Sequence, residues 1–180
     1  MNLPNKLTLL RVALIPFFVV LLLLSARYPY LNHAAVVVFI IASLTDLFDG
    51  KLARKYDMVT NFGKFMDPLA DKLLVISALI CLLKLDMIPV WAVLLITARE
   101  FIISGFRLVA AEKGLVLAAS KIAKVKTTVQ MIMTISLMMD FPWKIFKILN
   151  WILIILAVIL TIASLVEYLI KNRSVISGAM

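Results

Sequence analysis

The sequence predicts an all-α integral membrane protein with six transmembrane helices. Of its 180 residues, 64% are apolar, whereas soluble domains are roughly 45 to 50% apolar, and the mean hydropathy is +1.08. The chain contains six apolar runs, and a helix needs about 20 residues to cross a bilayer. These runs nearly exhaust the chain, so we expect one membrane domain over residues 1–180 and no separate soluble domain.

Each predicted span is bounded by charged or turn-forming residues. In order, the spans are Leu7 to Ala26, Leu31 to about Arg54, Asn61 to Leu85, Ile88 to about Glu112, Lys124 to Met139, and Trp143 to Ile170. Residues 1–6 contain Pro4 and Asn5 and predict a short amphipathic segment at the membrane surface before the first span. The second to fourth spans carry ionisable residues at one end, which is typical of helices that line a functional site.

The distribution of lysine and arginine predicts the orientation of the helices. If the amino terminus lies inside, the outer side holds only four basic residues, which are Arg27, Lys84, Lys144 and Lys147. Short basic loops stay in the cytoplasm. Both termini and the charged ends of the second and third spans are therefore predicted to be cytoplasmic.

Four aspartates form two pairs on neighbouring spans. Asp46 and Asp49 are three residues apart, and Asp67 and Asp71 are four apart, so each pair shares a helix face. Ionised carboxylates repel each other, and each costs about 2.5 to 3.5 kcal/mol at the centre of a span. Two Mg²⁺ or Mn²⁺ ions would compensate these charges and leave coordination sites for phosphate. The alternative is a solvated, charged helix hairpin just outside the bilayer.

Small residues complete a motif around these aspartates, D-x2-D-G-x2-A-R-x8-G-x3-D-x3-D. Its members are Asp46, Asp49, Gly50, Ala53, Arg54, Gly63, Asp67 and Asp71. The motif resembles the signature of the CDP-alcohol phosphatidyltransferases, which are built on six membrane helices. The resemblance implies that a phosphatidyl group passes from CDP-diacylglycerol to the hydroxyl of an alcohol, with release of CMP, at the cytoplasmic face.

The resemblance also implies a role for each motif residue. The metal ligands would be Asp46, Asp49, Asp67 and Asp71. Asp71 would in addition be the general base, because a carboxylate beside the metals can accept the proton of the alcohol as its oxygen attacks phosphorus. The residues that would bind CDP-diacylglycerol are Asn5, Thr8, Gly50, Arg54 and Thr60.

Basic residues outside the motif bear on the identity of the acceptor. Arg99 lies inside the fourth span, where a charge needs a partner, and the adjacent Glu100 is expected to point about 100° away. Phosphate suits this arginine, because a guanidinium binds it through two hydrogen bonds. Arg107 lies about 80° further round the helix and can serve the same pocket. This pattern favours an anionic acceptor such as glycerol 3-phosphate, although simple cytoplasmic anchoring is the alternative.

The segments LPNKLTLLR, AREFIISGFR and AKVKT resemble the branch of the family that makes phosphatidylglycerophosphate. The resemblance implies that sn-glycerol 3-phosphate is held through its phosphate by Arg11, Arg99, Arg107, Lys124, Lys126 and Thr127. One departure is Ala123, where glycine is expected. The resemblance further implies a homodimer in the bilayer of the bacterial cytoplasmic membrane, and we expect no nucleic-acid partner.

Other functions remain open from the sequence alone. A sister enzyme could use serine, inositol phosphate or phosphatidylglycerol as the acceptor, since the aspartates would be the same. A cation transporter would be expected to place its acids near the bilayer midplane, whereas these cluster towards one face. A membrane prenyltransferase also holds magnesium and pyrophosphate on paired aspartates, but their spacing differs.

Overall fold

The computed structural model describes the backbone of residues 3–55, 61–112, 114–115 and 120–173. It describes the side chains of residues 8–45, 66, 69–112, 114–115 and 120–173. Within those ranges all regular structure is helical. The helices are α1 (Leu3–Leu24), α2 (Tyr30–Lys55), α3 (Asn61–Lys84), α4 (Val90–Glu112), α5 (Lys121–Met139) and α6 (Lys144–Lys171).

The six predicted spans are confirmed as six helices in the expected order, and each boundary differs by at most a few residues. The amphipathic character and surface position of the amino-terminal segment stay predictions. Its described residues 3–6 form the first turn of α1 and are continuous with the first span. Pro4 lies in the first turn of α1, where its missing N–H has no intrahelical partner to lose, so the helix runs through it.

The helices form two compact units, Met1–Met87 and Ile88–Met180. In the first unit, α1 packs against both α2 and α3, and α2 also contacts α3. Phe18 of α1 and Phe39 of α2 are fully buried, with ring centroids 5.5 Å apart. Ala35 and Ala42 are also fully buried on α2, and small residues at such positions let helices approach closely.

In the second unit, α6 packs against both α4 and α5. The hairpin between α5 and α6 is joined by a hydrogen bond in which the Ser136 hydroxyl donates to Asn150 Oδ1 at 2.6 Å. Phe106 of α4 meets Tyr168 of α6 edge-on, with 6.2 Å between ring centroids. All three helices bury polar side chains as well as apolar ones, which is unusual for helices of this hydropathy.

Local capping explains where α4 ends and α5 begins. Gly114 has a φ of +73°, and its N–H donates to Ala111 O while the N–H of Leu115 donates to Ala110 O. These two bonds form a Schellman motif, in which glycine adopts the left-handed conformation at no steric cost. The Ser120 hydroxyl accepts a hydrogen bond from Ala123 N at 3.1 Å. This cap starts α5 at Lys121, three residues before the predicted Lys124.

One helix of the described chain, α6, is both long and apolar enough to cross a membrane by length and composition. Residues Thr8–Leu24 and Tyr30–Thr45 form shorter apolar helical stretches. Large apolar side chains are exposed at regular intervals along α6, at Ile148, Trp151, Ile152, Ile155 and Ile159. A protein in water rarely exposes so continuous an apolar surface.

Replacement of Phe18 by alanine should lower the free energy of unfolding by about 3 to 5 kcal/mol, because it leaves a cavity against Phe39. The adjacent Phe17 is 54% exposed and provides the matched control. Phe17→Ala should change the free energy by about 0.5 kcal/mol or less. Equilibrium unfolding of the purified protein in detergent measures both values, and equal losses would contradict the assignment of the core.

Candidate active site

The four motif aspartates lie on α2 and α3 of the first unit. Asp46 and Asp49 are separated by three residues in a helix that continues to Lys55, so they occupy adjacent turns of one face. Asp67 and Asp71 are four apart on α3, and the two helices are in contact. The side chains of Asp46, Asp49 and Asp67 lie outside the described residues, whereas Asp71 is half-buried.

Aspartate occupies all four motif positions that would hold metal. Hard divalent cations prefer such oxygen ligands. Elsewhere in the described side chains, no group of three or more histidine, cysteine, aspartate or glutamate residues could hold a metal ion. The chemistry of the donor set therefore fits Mg²⁺ or Mn²⁺ on the α2 and α3 pair.

The residues expected to bind CDP-diacylglycerol also map to the first unit. Thr8 lies on α1 and is fully buried. Asn5 lies on α1, and Gly50 and Arg54 lie on α2, but their side chains are outside the described residues. Thr60 lies outside them altogether. α1 thus brings one buried hydroxyl to the unit that carries the aspartates.

Arg11 belongs to this same unit. It lies on α1 three residues after Thr8, so both project from neighbouring positions of one face, and both are fully buried. A buried guanidinium in an apolar helix is expensive unless it is compensated. Its position in the first unit separates it in the chain from the other residues expected to bind the acceptor phosphate.

In the second unit, Arg99, Glu100 and Lys126 form a buried ionic cluster. The Arg99 Nη1 group donates to Glu100 Oε1 at 3.1 Å, and Lys126 Nζ donates to the same oxygen. The side chains of Arg99 and Lys126 are 8% and 1% exposed. One carboxylate oxygen therefore joins α4 to α5 and partly neutralises two buried cations.

This pairing corrects the expectation that Glu100 points away from Arg99. The angle between adjacent helix positions is about 100°, but both side chains are long enough to turn back towards each other. The burial of Arg99 makes an unpaired charge costly, so the ion pair is favoured over the separation that helix geometry predicts.

Arg99 has a second anchor on α6. Its Nε donates to the Ser164 hydroxyl at 3.1 Å, and both side chains are buried. Ser164 in turn donates to Thr161 O at 2.9 Å, so its oxygen is oriented by its own helix. The guanidinium is consequently held at two of its three nitrogens.

The remaining residues expected at the acceptor site are at the surface. Arg107, Lys124 and Thr127 are all exposed. Arg107 lies on the same helix as Arg99, but the structure buries one and exposes the other, so it does not place them in one buried pocket. The Thr127 hydroxyl donates to Ala123 O at 3.0 Å within α5. The structure brings Arg99 and Lys126 together through Glu100, whereas these three are exposed.

The sequence of this chain matches a known protein family. A model of the CDP-alcohol phosphatidyltransferase family matches residues 1–163. The chain belongs to the CDP-alcohol phosphatidyltransferase family. It is therefore an enzyme of the transferase class, and enzymes of this family use divalent metal ions.

Several curated relatives are similar along most of their length. A Bacillus subtilis (strain 168) protein named CDP-diacylglycerol--glycerol-3-phosphate 3-phosphatidyltransferase is 44% identical over 187 residues, covering 95% of each chain. An Escherichia coli (strain K12) protein of the same name is 39% identical over 185 residues, covering 96% of each chain. A Rickettsia typhi protein of that name is 46% identical over 130 residues, covering 72% of each.

Within this CDP-alcohol phosphatidyltransferase, sequence reasoning missed the partners of Arg99. Glu100 was judged only by its angle on α4, and Ser164 is 65 residues from Arg99 in the chain. A weak signal was present, because Thr161, Ser164 and Tyr168 repeat at intervals of three and four in an apolar helix and are all buried. Polar residues at that spacing indicate a face turned towards other helices rather than lipid.

Removal of the Glu100 carboxylate should destabilise the protein strongly. Glu100→Ala leaves Arg99 and Lys126 buried without their shared anion, and the expected loss in free energy of unfolding is about 3 to 5 kcal/mol. The matched control is Glu167→Ala, since Glu167 accepts from Lys171 at 2.6 Å and that lysine is 63% exposed. The control should lose far less. Thermal unfolding in detergent compares them, and similar losses would argue against the ionic cluster as a source of stability.

Proposed function

We propose that this enzyme transfers the phosphatidyl group of CDP-diacylglycerol to sn-glycerol 3-phosphate, giving phosphatidylglycerophosphate and CMP in phospholipid biosynthesis. The observation that carries the proposal is the similarity to the Bacillus subtilis and Escherichia coli enzymes over at least 95% of each chain. The buried Arg99 and Lys126 pair adds support, because two cations beside one carboxylate suit an acceptor that brings its own phosphate.

In the proposed reaction, a hydroxyl oxygen of glycerol 3-phosphate attacks the phosphorus that bears the diacylglycerol. The new oxygen–phosphorus bond forms as the bond from that phosphorus to the CMP oxygen breaks, and CMP leaves with the bonding electrons. Asp71 accepts the proton of the attacking hydroxyl. Its half-buried position on α3 supports this role, because it lies one helical turn from Asp67, the other motif aspartate of that helix.

Asp46, Asp49, Asp67 and Asp71 would hold two divalent ions, Mg²⁺ or Mn²⁺. When bound, such ions stabilise the negative charge that develops on the phosphoryl and leaving oxygens. The protein contributes two helices that keep the backbone positions of the four aspartates at fixed spacing. Fixed backbone positions lower the cost of assembling the site.

The substrate-binding residues divide between the units. We assign CDP-diacylglycerol to Asn5, Thr8, Gly50, Arg54 and Thr60, and the acceptor phosphate to Arg11, Arg99, Arg107, Lys124, Lys126 and Thr127. The burial of Thr8 supports the first group, and the buried ionic cluster supports the second. Arg107 and Lys124 are exposed and would attract the anionic acceptor from solution.

We further assign all six helices to the bacterial cytoplasmic membrane, as one domain over residues 1–180 with both termini and the active site facing the cytoplasm. The exposed apolar residues of α6 and the positions of the basic residues support this arrangement. We also propose that two copies of the chain form a homodimer, as the family resemblance implies.

Activity with different acceptors tests the proposed function. Purified protein with Mg²⁺ or Mn²⁺ and labelled CDP-diacylglycerol should form phosphatidylglycerophosphate from glycerol 3-phosphate. Serine, inositol phosphate and phosphatidylglycerol should give little product, because the proposed site recognises the phosphate and glycerol of one small molecule. Preference for any of these other acceptors would refute the assigned substrate while leaving the transfer chemistry in place.

Asp71→Asn should abolish turnover and largely preserve binding of the cytidine nucleotide. The amide keeps the size and one oxygen ligand of Asp71 but cannot accept the proton of the attacking hydroxyl. Product formation and CMP binding to the same preparation measure the two effects separately. Turnover near the wild-type rate would rule out Asp71 as the base.

A further inference from the structure

Ser164 connects α6 to Arg99, a residue of the proposed acceptor site. The transfer chemistry by itself does not require this contact. Its hydroxyl accepts from Arg99 Nε at 3.1 Å and donates to Thr161 O at 2.9 Å. It is 1% exposed. Because the Ser164 hydroxyl both donates and accepts a hydrogen bond, its orientation is fixed. Its bond to Arg99 in turn restricts the orientation of the guanidinium.

The two anchors of Arg99 leave one part of its guanidinium available. Nε is bonded to Ser164, and Nη1 is bonded to Glu100. Within the described part of the chain, the hydrogen bonds of Arg99 run from Nε and Nη1, and none runs from the second terminal nitrogen, Nη2. Because the guanidinium is planar and its N–H groups point in fixed directions, fixing two nitrogens also fixes where Nη2 points.

The same anchors bring a second cation to a defined place. Glu100 Oε1 accepts from Arg99 and from Lys126, so a single atom holds donors from two helices. Arg99 and Lys126 thus place two buried cations beside one carboxylate oxygen. A phosphate group carries about −1.5 to −2 near neutral pH, so two cations that are already held in place would attract it.

We propose that Ser164 is a positioning residue that, together with Glu100, orients the Arg99 guanidinium so that Nη2 is presented to the phosphate of the acceptor. The inference rests on the proposed function, since it takes glycerol 3-phosphate as the acceptor. Ser164 does not touch substrate. Ser164 holds Arg99 in its binding orientation before the acceptor arrives. Loss of Ser164 therefore lowers the affinity for the acceptor and leaves the rate of the bond-forming step unchanged.

A purely structural role for Ser164 makes a different prediction. Ser136 also joins two helices of the second unit through its hydroxyl, at 2.6 Å from Asn150 Oδ1. If Ser164 only helped α4 and α6 to pack, its replacement would resemble that of Ser136, with a loss of thermal stability and no selective effect on the acceptor. Ser136→Ala is therefore the matched control.

The experiment measures steady-state kinetics of the full-length protein with glycerol 3-phosphate varied at saturating CDP-diacylglycerol, and then the reverse. Ser164→Ala should raise the KM for glycerol 3-phosphate about 10-fold, as expected for one lost hydrogen bond to a charged group. The kcat and the KM for CDP-diacylglycerol should change less than about 2-fold. Ser136→Ala should leave all three constants near their wild-type values.

A double-mutant cycle shows whether Ser164 acts through Arg99. Arg99→Lys keeps a positive charge but has a methylene where Nε stands, so the hydrogen bond to Ser164 is absent in this background. Ser164→Ala should then have no further effect on the KM for glycerol 3-phosphate. The same 10-fold rise in the Arg99→Lys background would overturn the proposal.

Two further outcomes are decisive. If Ser164→Ala does not fold, Ser164→Cys keeps a side chain of similar size with much weaker hydrogen bonding, and it should raise the same KM. An unchanged KM in the folded variant overturns the role of Ser164. Failure of the proposed function looks different, because the wild-type protein itself would then show no preference for glycerol 3-phosphate.

Discussion

The structure depends on compensation of charges that an apolar helical protein has to bury. In the second unit, the protein supplies its own compensation, as the Glu100 carboxylate accepts from Arg99 and Lys126. In the first unit, the motif concentrates carboxylates on α2 and α3, and the proposed compensation comes from bound metal. The two units thus meet the same electrostatic cost in different ways: an internal carboxylate in the second unit, and proposed metal ions in the first.

Most of the helical architecture could be predicted from the sequence, because apolar runs and their boundaries are local properties. The six helices match the six predicted spans, and the early start of α5 follows from the Ser120 cap rather than from hydropathy. The polar composition of the amino-terminal segment favours a surface position but does not decide its conformation. The structure makes residues 3–6 the first turn of α1, which Pro4 can enter.

The two sites differ in how far sequence could predict them. The aspartate positions follow from spacing, because residues three and four apart on one helix share a face whatever surrounds it. The surroundings of Arg99 depend on how α4, α5 and α6 rotate against each other, and this rotation brings Ser164 to Arg99 across 65 residues. Side-chain length decided the pairing with Glu100, since two long side chains can meet from positions that diverge at the backbone.

The Arg99 and Glu100 pair also bears on how the protein is made. If α4 enters lipid as it is synthesised, its two buried charges are adjacent and can enter as a neutral pair. Lys126 brings a buried charge on α5, and Glu100, which accepts a hydrogen bond from it, is on the helix made before it. The Glu100 carboxylate is therefore already present when Lys126 is inserted. In a permuted chain with α5 before α4, Lys126 would be inserted before Glu100.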